Sequence, residues 1–384
     1  MTDRKEYRLG DICDLNWGDT KTTKKSYTEA GFPAYSATGQ DGFLPYHDFD
    51  HTGVVVSAIG ANCGRTWLAH GKWSCIKNTI RFWSTSLEAD TEYLYWITHN
   101  PDFWPKRGSA QPFISQADAR AASVALPPIE EQEAVAGLLG TLNDKIELNR
   151  RMNETLEAMA RAIFKDWFVD FGPTRAKAEG RAPYLAPALW DLFPATLDDE
   201  DKPAGWSMRT VEDFLELAYG KSLPAKKRMP GNVAVYGSGG LSGTHNTALI
   251  EGPAVIVGRK GTVGSLYWED GPAFPIDTVF YVIPRFGSML FNYHLLASQP
   301  LSDMNTDAAV PGLNRGNAYR LEFPLPEPSL ASAFDEIAGP LWQRRTKNLK
   351  EIETLAQTRD LLLPKLLSGE IRLGGAGKAL EARL

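Results

Sequence analysis

Lysine and arginine follow a glycine at two matching places in this chain. Lys21, Lys24 and Lys25 come after Gly18, and Lys221, Lys226, Lys227 and Arg228 come after Gly220. Further basic side chains, Arg65 and the pair Arg259-Lys260, stand near a second recurring glycine, Gly64 and Gly264. Lys77-Asn78, Lys106-Arg107, Gln111 and Asn314-Arg315 complete the set. Ammonium and guanidinium groups neutralise phosphates. Arg and Lys also pair with guanine in the major groove, and Asn or Gln with adenine. Any one of these side chains, taken alone, reads more readily as a solvated surface charge. Clusters that recur at corresponding places make the set a candidate DNA-contacting surface.

The catalytic signatures tested are absent. Gly220-Lys221-Ser222 looks like the end of a phosphate-binding loop, but Leu215 stands where that loop needs its first glycine. His47 and His51 are four apart without a His-Glu-x-x-His sequence, so core or surface histidines are the simpler reading than a metal site. Gly258-Arg259-Lys260-Gly261-Thr262-Val263-Gly264 has the wrong spacing for a dinucleotide fingerprint, and Leu266-Tyr267-Trp268 continues as strand. No Gly-x-Ser-x-Gly elbow occurs. The Asn-Pro-Pro-aromatic motif of an amino-group methyltransferase is also missing, because Leu126-Pro127-Pro128-Ile129 lacks both the Asn and the aromatic. The expectation is a chain that is not an enzyme and holds no metal.

The elements that must position these loops come as a duplicate. One seam of seven-residue spacing is Val135, Leu142, Asn149, Leu156 and Ile163; 199 residues later it recurs as Phe334, Leu341, Asn348, Leu355 and Leu362. Such a seam belongs to a helix that packs along its length on another helix. Before each helix the landmarks repeat in order. Tyr35 with Gly39 parallels Tyr236 with Gly240, and Val54-Val55-Val56 parallels Val255-Ile256-Val257. Leu126-Pro127-Pro128 precedes the first helix and Leu325-Pro326-Glu327-Pro328 the second. One scaffold used twice, strongly diverged between landmarks, suggests two specificities. Antiparallel pairing of equal five-position seams places middle on middle, so Asn149 is expected to face Asn348 and fix the register.

Short apolar runs between Gly and Asn/Asp turns make residues 1–128 a strand-rich module, with a short helix near Glu92–His99. The first long helix is assigned to 129–171, breaking at Gly172-Pro173. Residues 172–205 read as a linker rich in Pro, Ala and acid. The second module is 206–328, the second long helix 329–370, and 371–384 a frayed tail. The fold class expected is α+β: two mixed, strand-rich recognition domains in pseudo-two-fold arrangement, joined by two long helices forming an antiparallel coiled coil.

With 43% apolar and 23% charged residues in 384, the chain is globular and long enough for two or more domains. Cys13, Cys63 and Cys75 lack metal or redox spacing and are expected to be reduced. No membrane-length apolar stretch or signal-peptide core is evident, which points to the cytoplasm. The formal charge of −6 argues against a simple electrostatic nucleic-acid binder. The acidic excess is concentrated in 129–205, with 9 basic and 15 acidic residues, whereas 1–128 and 206–328 are each near neutral at 13 to 14 and 10 to 11. Such a chain would hold DNA weakly alone and rely on a partner for phosphate contacts.

With that organisation in view, the chain resembles the DNA specificity (S) subunits of type I restriction-modification systems along nearly its whole length. The resemblance rests on Leu126-Pro127-Pro128-Ile129-Glu130-Glu131-Gln132, on Leu148-Asn149-Arg150, and on Phe164-Lys165-Asp166-Trp167-Phe168-Val169-Asp170-Phe171. Arg175-Ala176-Lys177-Ala178-Glu179-Gly180, Leu192-Phe193-Pro194, Pro203-Ala204-Gly205-Trp206 and Leu362-Leu363-Pro364-Lys365-Leu366-Leu367-Ser368-Gly369-Glu370 extend it. One departure is Pro326-Glu327-Pro328-Ser329-Leu330-Ala331, where a second Pro-x-x-Glu-Gln start would stand. The resemblance implies a non-catalytic reader in which each module reads half of a split, asymmetric site in double-stranded DNA and the helices set the gap. It implies as partners two modification subunits that bind S-adenosylmethionine and methylate adenine N6, and motor-nuclease subunits using ATP and Mg. No cofactor is expected in this chain. The recognition subunit of a related system that cuts beside its site, or a coiled-coil adaptor with no DNA role, remains the alternative.

Overall fold

In the computed structural model, the described residues are 4–305 and 312–373. Two long helices dominate the secondary structure, Ile129–Phe168 and Pro328–Ser368, of 40 and 41 residues or about 60 Å each. Both begin just after a proline-bearing strand end. Glu130 and Glu131 lie in the first turn of the first helix, where the backbone dipole favours negative charge. Every residue of the two seven-spaced seams is buried or half-buried.

The chain divides into two units, and neither is one continuous stretch. The first takes residues up to Leu148 and from Ile352; the second is Asn149–Glu351. Each unit thus contains half of each long helix. In the first unit Val135, Ala136 and Leu139 share a core with Leu366, with Leu362 and Leu363 packed against it. In the second, Ala160, Phe164, Trp167 and Phe168 share a core with Leu330, Phe334, Ala338 and Trp342. The beginning of one helix therefore meets the end of the other, which is antiparallel packing in each unit.

One sheet topology occurs in both units. In the first, an antiparallel sheet orders Cys13–Trp17, Thr79–Ser84, Gly53–Ser57 and Thr66–Ala69. In the second, Leu215–Tyr219, Val279–Pro284, Ala254–Gly258 and Leu266–Glu269 take the same places. Gly53–Ser57 and Ala254–Gly258 are buried at every position, which explains why these runs show no apolar–polar alternation. A second sheet in each unit includes a parallel pair, Phe32–Ser36 with Lys72–Cys75 and Val233–Gly237 with Ala273–Pro275. Lys5–Arg8 pairs with Ser123–Leu126, and Ser207–Thr210 with Glu322–Leu325, closing each module just before its long helix. The three cysteines are free and buried. No helix among the described residues is long and apolar enough to cross a membrane.

Two regions depart from the simplest reading of the sequence. Residues 172–205, a linker by composition, are folded. Gly172–Ala178 and Pro187–Trp190 are helical, Arg175 pairs with Asp201 at 2.6 Å, and Lys177 donates to the Phe193 carbonyl at 2.6 Å. Phe193 and Trp206 belong to the core of the second unit. The second departure explains the missing Glu-Gln at the start of the second helix. In the first unit buried Gln132 accepts from the Asp90 amide at 3.0 Å and donates to the Glu88 and Pro127 carbonyls, at 2.9 and 2.8 Å. Asp90 caps the helix Thr91–Thr98, so Gln132 ties that cap to the long helix. In the second unit Ala331 holds the matching place. The cap of Met289–Ala297, Ser288, instead donates its hydroxyl to Asp335 at 2.6 Å. The tie is kept by different residues. The expected tail, 371–384, lies outside the described residues from 374 onward.

The expected register of the helix seam is corrected. The Asn348 amide donates to Asn153 Oδ1 at 2.9 Å, not to Asn149. Asn153 is one helical turn beyond Asn149. Arg345 pairs with Glu157 in the same register, and the Trp342 ring lies 4.9 Å from its guanidinium. Equal seam lengths suggested middle on middle. In a packed pair each side chain seats between residues one turn apart on the facing helix, so Asn348 bonds Asn153, on the turn beyond Asn149, while Phe334 packs on Phe164 and Phe168. Asn149 is fully buried, and neither its Nδ2 nor its Oδ1 has a hydrogen-bond partner.

Candidate nucleic-acid interface

The turn after Cys13–Trp17 requires glycine because backbone presses on it. The Gly18 amide donates to the Thr79 carbonyl at 3.0 Å, and a Cβ at this position would lie 2.3 Å from Thr79 Oγ1 and 2.7 Å from the Ile76 carbonyl. Gly220 repeats the arrangement: its amide donates to Val279 at 3.2 Å, and a Cβ would lie 2.1 Å from the Ile276 carbonyl. The two glycines that mark the basic loops in the sequence are thus the anchors of those loops.

In the first unit four loops are stitched along one edge of the sheet. Asp19 donates its amide to Cys75, and its carboxylate accepts from the Lys21 amide at 2.8 Å and from the Thr22 hydroxyl. The Thr22 carbonyl accepts from the Lys77 amide at 3.3 Å. Asn78 adopts a left-handed backbone, φ 72°, and its carbonyl accepts from the Ala58 amide at 3.0 Å. The Ala58 carbonyl in turn accepts from Ile114, and Arg107 and Phe113 exchange both backbone bonds at 2.8 Å. Lys21, Arg65, Lys77, Asn78, Arg107 and Gln111 are all exposed on this set of loops.

Not every basic candidate is available to a ligand. Lys24, in the short 3-10 turn Lys24–Ser26, pairs with Asp41 at 2.5 Å and donates to Thr38 at 3.0 Å. Burial would raise the Asp41 carboxyl, but bonds from Lys24, Ser36, Thr38 and Tyr27 outweigh it and hold the group down to about 2. Arg107 pairs with Asp118 at 2.6 Å, and Lys106 with Asp102 at 3.6 Å. Lys25, Arg65 and Lys77 make no ion pair among the described residues.

The second unit repeats the edge with other side chains. Arg259 and Lys260 both donate their amides to the Thr278 carbonyl, at 3.0 and 3.1 Å, and Arg259 accepts from the Leu313 amide at 2.8 Å. Arg259 is therefore the backbone counterpart of Ala58. Lys226 and Lys227 are exposed in the 3-10 turn Ala225–Lys227, and Lys221 and Lys260 are exposed as well. Arg228 turns inward: its Nη1 donates to the Ser242 carbonyl and its Nε is buried. Asn314 spends its side-chain oxygen capping Arg315–Tyr319, accepting from Asn317 at 3.2 Å.

Two residues at this edge escaped the sequence reading. Trp17 and Tyr219 end corresponding strands immediately before the anchoring glycines, and they are 37% and 49% exposed. An aromatic-Gly pair repeated 202 residues apart, Trp17-Gly18 and Tyr219-Gly220, was the available signal. Flat rings among cations suit contact with bases or sugars.

The family model for the type I restriction modification DNA specificity domain matches residues 1–158 and 203–329. The chain is similar to the type I restriction enzyme HindI specificity subunit of Haemophilus influenzae, at 26% identity, with 73% of this chain and 74% of the relative covered. It is also similar to the type I restriction enzyme MjaIX specificity subunit of Methanocaldococcus jannaschii, at 24% identity, over 74% and 69%. Its fold is like that of the type I restriction-modification S subunit from M. genitalium, with a TM-score of 0.65 at 18% identity over 95% and 96% of the two chains.

Proposed function

The chain belongs to the type I restriction modification DNA specificity family, and from that premise we propose that it selects the DNA sequence for a restriction-modification complex without itself performing chemistry. The observation that carries this reading is the loop edge built twice on one backbone plan and furnished with different side chains. Each edge reads one half of a bipartite, asymmetric site in double-stranded DNA. Exposed Lys25, Lys77, Lys226 and Lys227 meet phosphates; Asn78, Gln111 and exposed Arg65 reach base edges. The antiparallel helices set the unread gap and carry the modification subunits. Methyl transfer, with S-adenosylmethionine, and the ATP- and Mg-dependent motor and nuclease steps belong to those partners. With a formal charge of −6, the chain depends on its partners for part of the phosphate attraction.

Module exchange tests the reading. The methylome of cells carrying the system should show two half-motifs separated by a fixed gap. Replacing residues 1–128 with the module of a relative should change one half-motif and leave the other half and the gap intact. Change in both halves would refute independent reading, and methyl transfer by the purified chain alone would refute the non-catalytic role.

A further inference from the structure

The two loop edges share a backbone but differ sharply at three structurally equivalent positions. In the first unit these are Trp17, Ala58 and Gln116; in the second they are Tyr219, Arg259 and Arg315. The equivalence follows from hydrogen bonds and caps. Ala58 and Arg259 each accept from the residue that opens the last loop, Ile114 and Leu313. Gln116 and Arg315 each follow the N-cap of the last short helix, Ser115 and Asn314.

The side chains at these places do different things. Gln116 is committed within its own unit, donating to the Leu15 carbonyl at 3.2 Å and to Asn16 Oδ1 at 3.0 Å. In the second unit, two guanidinium groups gather on one half-exposed ring. Arg259 lies 5.0 Å from the centre of Tyr219 and 5.7 Å from that of Phe280, and Arg315 lies 4.8 Å from Tyr219 and 5.7 Å from Tyr319. Arg259 is pinned further by donation to the Asp277 carbonyl at 3.0 Å. Arg315 makes no hydrogen bond or ion pair through its guanidinium among the described residues. Two cations beside one ring, with no carboxylate among the described residues paired to either, repel each other, and an electron-rich acceptor relieves that repulsion. Stacking also holds Arg315 planar and ordered, so little rotamer freedom is lost when it forms a two-pronged contact.

Building on the DNA-recognition reading, we infer that the second unit reads a guanine through Arg315. Tyr219 and Arg259 act as positioning residues that hold its guanidinium in place. Guanine presents O6 and N7 side by side, the pattern that a free, planar guanidinium fork fits. The first unit has no equivalent reader, so this guanine contact belongs to one half-site alone. Among the ligand groups of DNA, phosphate is the competing acceptor. The base is favoured because the fork is ordered on aromatic rings and Lys226 and Lys227, on the turn that follows Gly220, are exposed and free to take phosphate.

The test uses the full chain assembled with its modification subunits and a library randomised in both half-sites. The wild-type complex should select guanine at one position of the half-site assigned to the second unit by module exchange. R315A should lower preference for that base by roughly 5- to 150-fold, the range that a bidentate pair supplies, with the other half-site unchanged. R315K, which keeps the charge, should lose most of that preference too. Y219A should relax the same position partly, and Y219F should restore it. A uniform loss of affinity in R315A, with the salt slope reduced by about one and R315K behaving as wild type, would assign Arg315 to phosphate and overturn the inference. Unchanged selection in R315A would overturn it as well. Absence of any sequence preference in the wild-type complex would instead overturn the DNA-recognition reading on which the inference rests.

Discussion

Replacing Asn149 with Leu should stabilise the protein, whereas the same change at Asn348 should destabilise it. Asn149 is fully buried with both side-chain polar atoms unpaired, on a seam that continues through Leu142 and Leu156. A buried polar group without a partner costs about 1–3 kcal/mol, and Leu removes that cost while adding apolar contact. Some strain from the bulkier side chain offsets part of the gain, leaving about 1–2 kcal/mol net. Asn348 differs because its amide donates to Asn153 at 2.9 Å. Converting it to Leu strands the Asn153 oxygen and should cost about 1–2 kcal/mol. Removing both partners, in N153L/N348L, should come back to within about 1 kcal/mol of wild type. In a unit of this size each kcal/mol shifts Tm by about 2–4 °C, so N149L should gain about 2–8 °C and N348L lose a similar amount. Urea titrations followed by helical circular dichroism measure the same differences, provided the m-value stays constant. A fall in stability for N149L would refute the reasoning, because it would mean that the amide is satisfied in the folded protein, for instance by buried water. Coupling absent from the Asn153–Asn348 double-mutant cycle would refute the assigned register.

Three further outcomes concern other parts of the molecule. The His294 ring lies between Phe164, Phe334 and Trp342, each about 5.6 Å away; burial first, then the nearby Arg161 charge, lower its pKa to about 4. Its neutral form is favoured on folding, so this contribution is full above about pH 6.5 and is lost as pH falls toward 4, up to about 3 kcal/mol. H294Q should flatten the stability profile across that window, and an unchanged profile would exclude His294 as its source. Neutralising Lys25, Lys226 and Lys227 in the assembled complex should lower the salt slope of DNA binding by about 0.9 for each phosphate left without its lysine, while an identical slope would remove all three from the interface. Inserting seven residues in each long helix should widen the gap between half-motifs by about three base pairs, since seven residues rise about 10 Å; a widened gap of any other size would refute the spacer role.

The long helices and the duplication were legible in the residues alone. Helical hydrogen bonds are local, and a seam at seven-residue spacing records one buried face without reference to what buries it. Gly18 and Gly220 stood out too as glycines repeated before a basic loop, and the fold shows why, since backbone presses on both. What the sequence could not decide depends on contacts between distant segments. Seven-residue spacing marks the buried face but not which residue of the facing turn a side chain bonds, so the choice of Asn153 over Asn149 as the partner of Asn348 was left to the packing of the two helices. Which stretches share a core was likewise not written in the sequence, because antiparallel pairing brings Leu366 to Val135 and Leu330 to Phe164, so each unit takes part of both helices. Charge on the sequence is also not charge available to a ligand. Lys24 and Arg107 look free until folding sets Asp41 and Asp118 beside them, and Arg315 becomes distinctive only when Tyr219, 96 residues earlier, arrives beneath it.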